Sequence, residues 1–198
     1  TPIEISRTAL LASVERLGEE FPAIEMLPVC ADFTRPVRLP TPTRAAANTL
    51  MFFPGSTLGN FTSDEAVALL GAMRTTMGER GATLIGIDLQ KDPALIEAAY
   101  NDAAGVTAQF TLNLLARLNR EIGSDFDLTA FRHRAVYDID AGRIETFLIS
   151  QRAQTVRVGE RTFQFIADEA MQVEYSQNYS DPGTTHADTV TGPSVTVQ

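Results

Sequence analysis

The sequence is poor in the residues that carry most recognisable chemistry. It has one cysteine, Cys30, in 198 residues. A lone cysteine cannot close an internal disulfide, so a reducing compartment and a cytoplasmic location are expected. There are two histidines, His133 and His186. Neither forms a zinc-type spacing with Cys30, so no metal is expected. Positive charge is scarce: 16 Lys and Arg stand against 25 Asp and Glu, a net charge of −9 with no basic run. That speaks against nucleic acid and against a membrane as partner, since an anionic surface needs a positive one to meet it. No apolar run approaches the length of a membrane-spanning helix. The opening "TPIEISRTALLASVERLGEE" is charged throughout and has no signal-peptide hydrophobic region. A G-x-S-x-G elbow and a Walker motif are both missing, so nothing points to serine-hydrolase or P-loop chemistry.

What is present is an ordinary globular composition, 44% hydrophobic and 21% charged. It is enough for one domain with a real core and a small appended lobe. The first 90 or so residues alternate between strand and helix. "PIEI", "IEMLPVCADF", "NTLMFFPG" and "ATLIGIDL" read as strands. The third is apolar on both faces, as in a covered parallel sheet. Between them, "SRTALLASVERLGEEF" and "TSDEAVALLGAMRTTMG" read as helices. Ser6 can cap the first; Thr62 or Ser63 caps the second, with Asp64 and Glu65 in its first turn and Gly78 as its stop. The order βαβ, proline-rich loop, βαβ predicts an α/β fold with a doubly wound sheet. After residue 91 two helices follow, "DPALIEAAYNDA" and "VTAQFTLNLLARLNREIG". Then "FRHRAVYDIDAGRIETFLISQRAQTVRVGERTFQF" alternates as an antiparallel meander, and "MQVEYSQNYS" adds a last strand. The expected division is 1–91, an α/β domain; 92–180, an α+β lobe; and 181–198, a Thr-, Gly- and Pro-rich tail that is disordered or loosely attached.

In an open parallel sheet, ligands bind beyond the carboxyl ends of the strands. Those ends carry Glu4, Asp32-Phe33, the bend "PGSTLGN" from Pro54 to Asn60, and Asp88. A carboxylate such as Glu4 can accept two hydrogen bonds from a ribose diol. Asp32 suits the exocyclic amine of adenine, and the Phe33 ring can pack on the base. Together they read as an adenosine site without phosphates; alternatively Glu4, Asp32 and Asp88 are solvated loop acids or helix caps. Gly55 lets backbone approach a ligand closely, and Asn60 offers both a donor and an acceptor.

The segments "PIEIS", "ADF", "FFPGSTLGNF", "GIDLQKDPALIEAAYNDAAGVTAQFTLNLLARLNRE", "FRHRAVYD", "RIETFLIS" and "VEYSQNYS" resemble the histidine-specific Nα-methyltransferases of ergothioneine biosynthesis. The resemblance covers residue 2 to about 180. It implies a partial Rossmann-like domain that binds S-adenosyl-L-methionine (SAM), with an inserted α+β substrate-binding lobe, and methyl transfer to the α-amino group of L-histidine. It implies that Glu4 binds the ribose, where the family usually has Asp, and that Asp32 and Phe33 meet the adenine. Gly55 and Asn60 would meet the amino-acid end of the substrate, Tyr100 its carboxylate, and Glu174 with Ser176 its imidazole. Read alone, Tyr100 is a tyrosine at the edge of a core, and Glu174 and Ser176 are the solvent face of a strand, since residues two apart share a face. That geometry equally lets both side chains reach one imidazole. Asn60, Tyr100, Glu174 and Ser176 are expected to face one common cavity.

The resemblance also sets departures. The family's Gly-rich SAM loop belongs upstream of residue 1, and the tail past Ser180 does not follow the family pattern. A truncated chain, its sheet completed by another segment or protomer and without appreciable activity alone, is therefore expected. The alternatives are a non-catalytic remnant and a methyltransferase for another amino acid or amine. A nicotinamide-dependent oxidoreductase rests on fold analogy alone.

Overall fold

The computed structural model describes residues 1–180. The tail read as loosely attached lies outside the described residues. These form two compact units: residues 1–55 with 61–86, and residues 56–60 with 87 onward.

In the first unit, β1 (Ile3–Glu4) and β2 (Val29–Cys30) pair in parallel, with α1 (Arg7–Glu20) as the crossover. The helix starts where Ser6 accepts from the Ala9 N–H at 3.4 Å, and it buries Leu10. A second crossover follows: β3 (Thr49–Phe53) pairs in parallel with β4 (Gly81–Ile85) through α2 (Ser63–Met77). Thr62 is its cap. The Thr62 hydroxyl accepts from the Glu65 N–H at 3.3 Å, and the Glu65 carboxylate accepts from the Thr62 N–H at 2.8 Å, a reciprocal capping box. Gly78 ends α2 at φ 71°, in the region glycine enters without a Cβ penalty.

Both crossovers thus have the order read from the sequence, but the ladders are short. β1–β2 and β3–β4 stand as separate two-stranded sheets. The β3–β4 pair is also covered on one side only. Met51, Phe53, Thr83 and Ile85 alternate with Leu50, Phe52, Ala82 and Leu84, and the second set faces outward, Leu50 and Phe52 each 65% exposed. α2 packs on the first set, with the Thr83 hydroxyl 3.1 Å from the Met77 sulfur. The expectation of a strand buried on both faces fails on the side of Leu50 and Phe52.

The second unit carries α3 (Pro93–Tyr100), α4 (Val106–Ile122) and five strands, β5 (Phe131–Asp138), β6 (Arg143–Ser150), β7 (Gln154–Val158), β8 (Arg161–Phe165) and β9 (Ala170–Gln177). The expected meander is split. β5, β6 and β9 form one antiparallel sheet, and β7–β8 form a hairpin of their own. The cause lies at Ser150. Its N–H donates to the Glu169 carbonyl and its carbonyl accepts from Asp168 N–H, while Gln151 N–H turns away to the Ala130 carbonyl. The chain leaves the sheet after β6, and β9 takes the place beside it. The main core joins Leu115 of α4 to Phe126, Phe131, Leu148 and Val156. A smaller cluster joins Ile96 of α3 to Ala135 and Ile144, with Tyr100 and Tyr137 packed against it.

Candidate functional site

The bend after β3 ends in a 3-10 turn, Thr57–Asn60. This turn lies directly on β9. A Cβ on Gly59 would come within 2.8 Å of the Gln177 carbonyl oxygen and 3.1 Å of Ser176 Oγ, so the close approach needs a residue without one. The Tyr179 hydroxyl donates to the Leu58 carbonyl at 3.4 Å, and burial pushes its pKa up. The turn thereby sets Asn60 against β9, where its Nδ2 donates to Glu174 Oε1 at 3.3 Å, between residues 114 apart in sequence.

β9 is not a regular strand at this point. Thr146 of β6 is opposite Glu174 but the next residue, Phe147, is opposite Gln172, which leaves Val173 as an extra residue. Such a bulge reverses which side chains face which side of the sheet. Beyond it, Glu174 and Ser176 share a side with their register partners Thr146 and Ile144. Ile144 is also in the cluster on which Tyr100 packs. Tyr100, Glu174 and Ser176 therefore belong to one side of the β5–β6–β9 sheet.

A cavity of about 620 Å³ opens between α4 and β9, lined by Asn60 and Glu174 together with Phe110, Thr111, Asn113 and Arg117 among others. Its size suits a small metabolite. Arg117 pairs with Glu121 at 3.1 Å, and among the described residues Glu174 makes no ion pair. Its carboxylate, held by the Asn60 amide, keeps acceptor capacity for an N–H or a cation on a ligand. Of the residues expected to share one cavity, Asn60 and Glu174 line this one. Ser176 is buried beneath Gly59, and Tyr100 sits in the Ile96 cluster; neither is in the lining. Gly55, at φ 71°, packs in the first unit against Gly86, where a Cβ would be 2.3 Å from the Gly55 carbonyl oxygen.

The sequence reading did not single out Phe110, Thr111, Asn113 or Arg117. Their signal was available: 110, 113–114 and 117 recur at helical spacing along α4, and the apolar Phe110 and Leu114 share its exposed face with Asn113 and Arg117.

At the carboxyl ends of β1 and β2, Glu4 is in register with Cys30, two residues before Asp32. Glu4 Oε1 accepts from the Ser6 N–H at 2.7 Å. Asp32 Oδ1 accepts from the Thr34 hydroxyl at 2.6 Å and its N–H at 3.0 Å. These bonds, followed by the Arg35 guanidinium, hold its carboxyl below the usual range. Phe33 meets Phe53 and Phe61 edge-on, with ring centroids 5.5 and 6.4 Å away. Asp88, at the other candidate strand end, is tied to Lys91 at 2.6 Å and to Asn178 Nδ2 at 3.1 Å, and these bonds use its carboxylate in the fold.

Comparison with known proteins fits this arrangement to a family. A family model described as "Histidine-specific methyltransferase, SAM-dependent" matches residues 1–195, past the last quoted motif. The Histidine N-alpha-methyltransferase of Mycolicibacterium smegmatis is 39% identical over 178 residues, covering 88% of this chain and 54% of that protein. The protein of the same name from Mycobacterium tuberculosis is 37% identical over 177 residues, again 88% and 54%. Ergothioneine biosynthesis protein 1 of Neurospora crassa is 35% identical over 133 residues, 64% of this chain and 14% of that one. The chain thus spans about half the length of the first two relatives.

Proposed function

We propose, because this chain belongs to the family of SAM-dependent, histidine-specific methyltransferases, that it serves methyl transfer to the α-amino group of L-histidine in ergothioneine biosynthesis. The two parallel pairs are then parts of one Rossmann-like, SAM-binding sheet (1–91), and 92–180 is the substrate-binding lobe.

The residues at the ends of β1 and β2 fit the adenosine part of SAM. Glu4 and Asp32 stand at the same end of neighbouring parallel strands. Each keeps carboxylate oxygen capacity beyond the bonds it makes, Glu4 for the ribose diol and Asp32 for the adenine amine. Phe33, steadied by Phe53 and Phe61, would pack on the base. When bound, SAM supplies a methyl group already activated by its sulfonium. The chain's own part is positioning. Glu174 accepts the imidazole N–H; the family resemblance assigns the other nitrogen to Ser176, which in this structure is buried beneath Gly59 and outside the cavity lining. Asn60 and Gly55 meet the amino-acid end, Tyr100 holds the carboxylate, and the α-amine is left free and directed.

The observation that carries this reading is the contact of Asn60 with Glu174 in one cavity. It sets the amide that follows a parallel strand beside a carboxylate of β9 in one cavity; a bound histidine would replace that direct bond, its imidazole taken by Glu174 and its amino-acid end by Asn60. The test is calorimetric titration of the 198-residue chain with histidine and with S-adenosylhomocysteine. Glu174→Ala should weaken histidine by about 10- to 150-fold, the worth of a roughly 1.5–3 kcal/mol charge-assisted bond, and leave S-adenosylhomocysteine unchanged. Equal loss for both, or none, would remove the imidazole assignment. If the unmodified chain binds neither ligand, these residues by themselves do not form the proposed ligand sites. Tighter binding of another amine would make it a relative of different specificity.

A further inference from the structure

Among the described residues β5 is an edge strand: in the order β5–β6–β9 it pairs with β6 alone. Its other side should present unpaired N–H and carbonyl groups. Instead, the last turn of α3 supplies partners for them at Ala135 and Tyr137. The Glu97 carboxylate accepts from the Tyr137 N–H at 2.8 Å. The Asn101 side chain meets Ala135 twice, Nδ2 donating to its carbonyl at 2.9 Å and Oδ1 accepting from its N–H at 3.0 Å. His133 Nε2 donates to the Tyr100 carbonyl at 2.8 Å. Asn101 Nδ2 also donates to the Glu97 carbonyl at 2.9 Å and so closes the helix end. The bonds to Ala135 and Tyr137 imitate a strand on the edge of β5, the His133 ring ties the same helix end to that strand, and the residue at their centre is Tyr100.

We infer that Asn101, aided by Glu97 and His133, is a positioning residue: it fastens the end of α3 to the free edge of β5 and so sets Tyr100 on the side of the sheet that carries Glu174 and Ser176. The inference rests on the reading of Tyr100 as the group that meets the substrate carboxylate. Hydrophobic packing of Tyr100 on Ala135 and Ile144 places the ring on that side but leaves the helix free to slide or rotate. The two-point bond of Asn101 to one backbone unit fixes both. An Asn at a helix end is ordinarily a local cap; here the same amide reaches 34 residues away, which a cap alone does not need.

The experiment compares binding of histidine with binding of histamine, which has the imidazole and amine but no carboxylate. It uses the full chain and its Tyr100→Phe, Asn101→Ala and Asn101→Asp variants, with amide exchange at Ala135 as the second readout. Asn101→Ala should speed exchange at Ala135 and weaken histidine about tenfold, with histamine unchanged. Asn101→Asp, which keeps the acceptor for the Ala135 N–H, covers the case in which Asn101→Ala fails to fold. It should fall between the unmodified chain and Tyr100→Phe in its preference for histidine. If Tyr100→Phe loses that preference and the Asn101 variants keep it, the positioning role is overturned while the reading of Tyr100 stands. If Tyr100→Phe keeps the preference, the reading of Tyr100 fails and takes the inference with it. Equal weakening of both ligands by the Asn101 variants would reduce Asn101 to a structural cap.

Discussion

A methyl group added at Gly59 would have to fit 2.8 Å from the Gln177 carbonyl oxygen, part of a backbone that β9 holds in place. It cannot do so unless the turn Thr57–Asn60 lifts away, and Asn60 would then leave Glu174. Gly59→Ala is therefore expected to destabilise the second unit by about 1–3 kcal/mol, the usual cost of overpacking, and to weaken histidine while leaving S-adenosylhomocysteine alone. Urea unfolding and the same titrations check it; unchanged histidine binding would show that the Asn60–Glu174 contact is incidental. The bend itself was legible at this scale, because Pro54, Gly55 and Asn60 are ordinary turn residues; that Gly59 must lie against β9 and that Asn60 reaches Glu174 was not. The shared side of Glu174 and Ser176 was legible too, from their spacing. Which side that is was not. It depends on the extra residue at Val173, and a bulge leaves no mark on the alternation that a single strand shows. Nor could spacing reveal that Ser176 lies buried beneath Gly59 while Glu174 opens to a cavity.

At the scale of elements, α4 shows how a helix start is arranged when its first flanking residue has no side chain. Its N-cap is Gly105, at φ 69°. The missing cap is supplied by Asp102, whose carboxylate accepts from the N–H groups of Val106 and Thr107, each at 2.8 Å. Those bonds, Thr107 first and Val106 next, lower the Asp102 pKa from its ordinary value to about 2. A carboxyl depressed in the folded state stabilises it above its ordinary pKa, near 3.8, and the contribution is lost as pH falls from there through about 2. Val106 and Thr107 amides should accordingly exchange faster as pH drops through that window, once the intrinsic pH dependence is removed, and Asp102→Ala should abolish the change. A pH-independent protection of these amides would mean that another acceptor caps α4. The starts of α1 and α2 were legible because Ser6 and Thr62 adjoin their helices. The long-range pairings were less so. Val29–Cys30 is all that pairs of "IEMLPVCADF", and the hairpin β7–β8 separates from β5–β6–β9 because of bonds at Ser150 that alternation does not encode.

For the molecule as a whole, two tendencies compete. A net charge of −9 favours solubility by mutual repulsion. Against it stand the outward row of Leu50, Phe52 and Leu84 on the β3–β4 pair and, among the described residues, the unpaired edges of two-stranded sheets, both surfaces that seek partners. The row was read from the sequence as buried, since "LMFF" is apolar at every position. Composition alone cannot distinguish a strand covered twice from one covered once, because covering depends on which segments lie on the far side. Repulsion between like charges is screened at physiological salt, with a Debye length of about 8 Å, whereas apolar association is not. The exposed row should therefore prevail. The 198-residue chain is expected to enhance the fluorescence of an apolar dye and to self-associate at micromolar concentration, more strongly as salt is raised. Phe52→Thr keeps a β-branched residue suited to a strand and removes the largest exposed ring of the row. It should reduce dye binding and shift sedimentation toward the monomer, with stability changed by no more than about 0.5 kcal/mol, as for an exposed position. A substantial loss of stability would instead mean that Phe52 is covered in solution, and the face would then belong to the core the sequence first suggested.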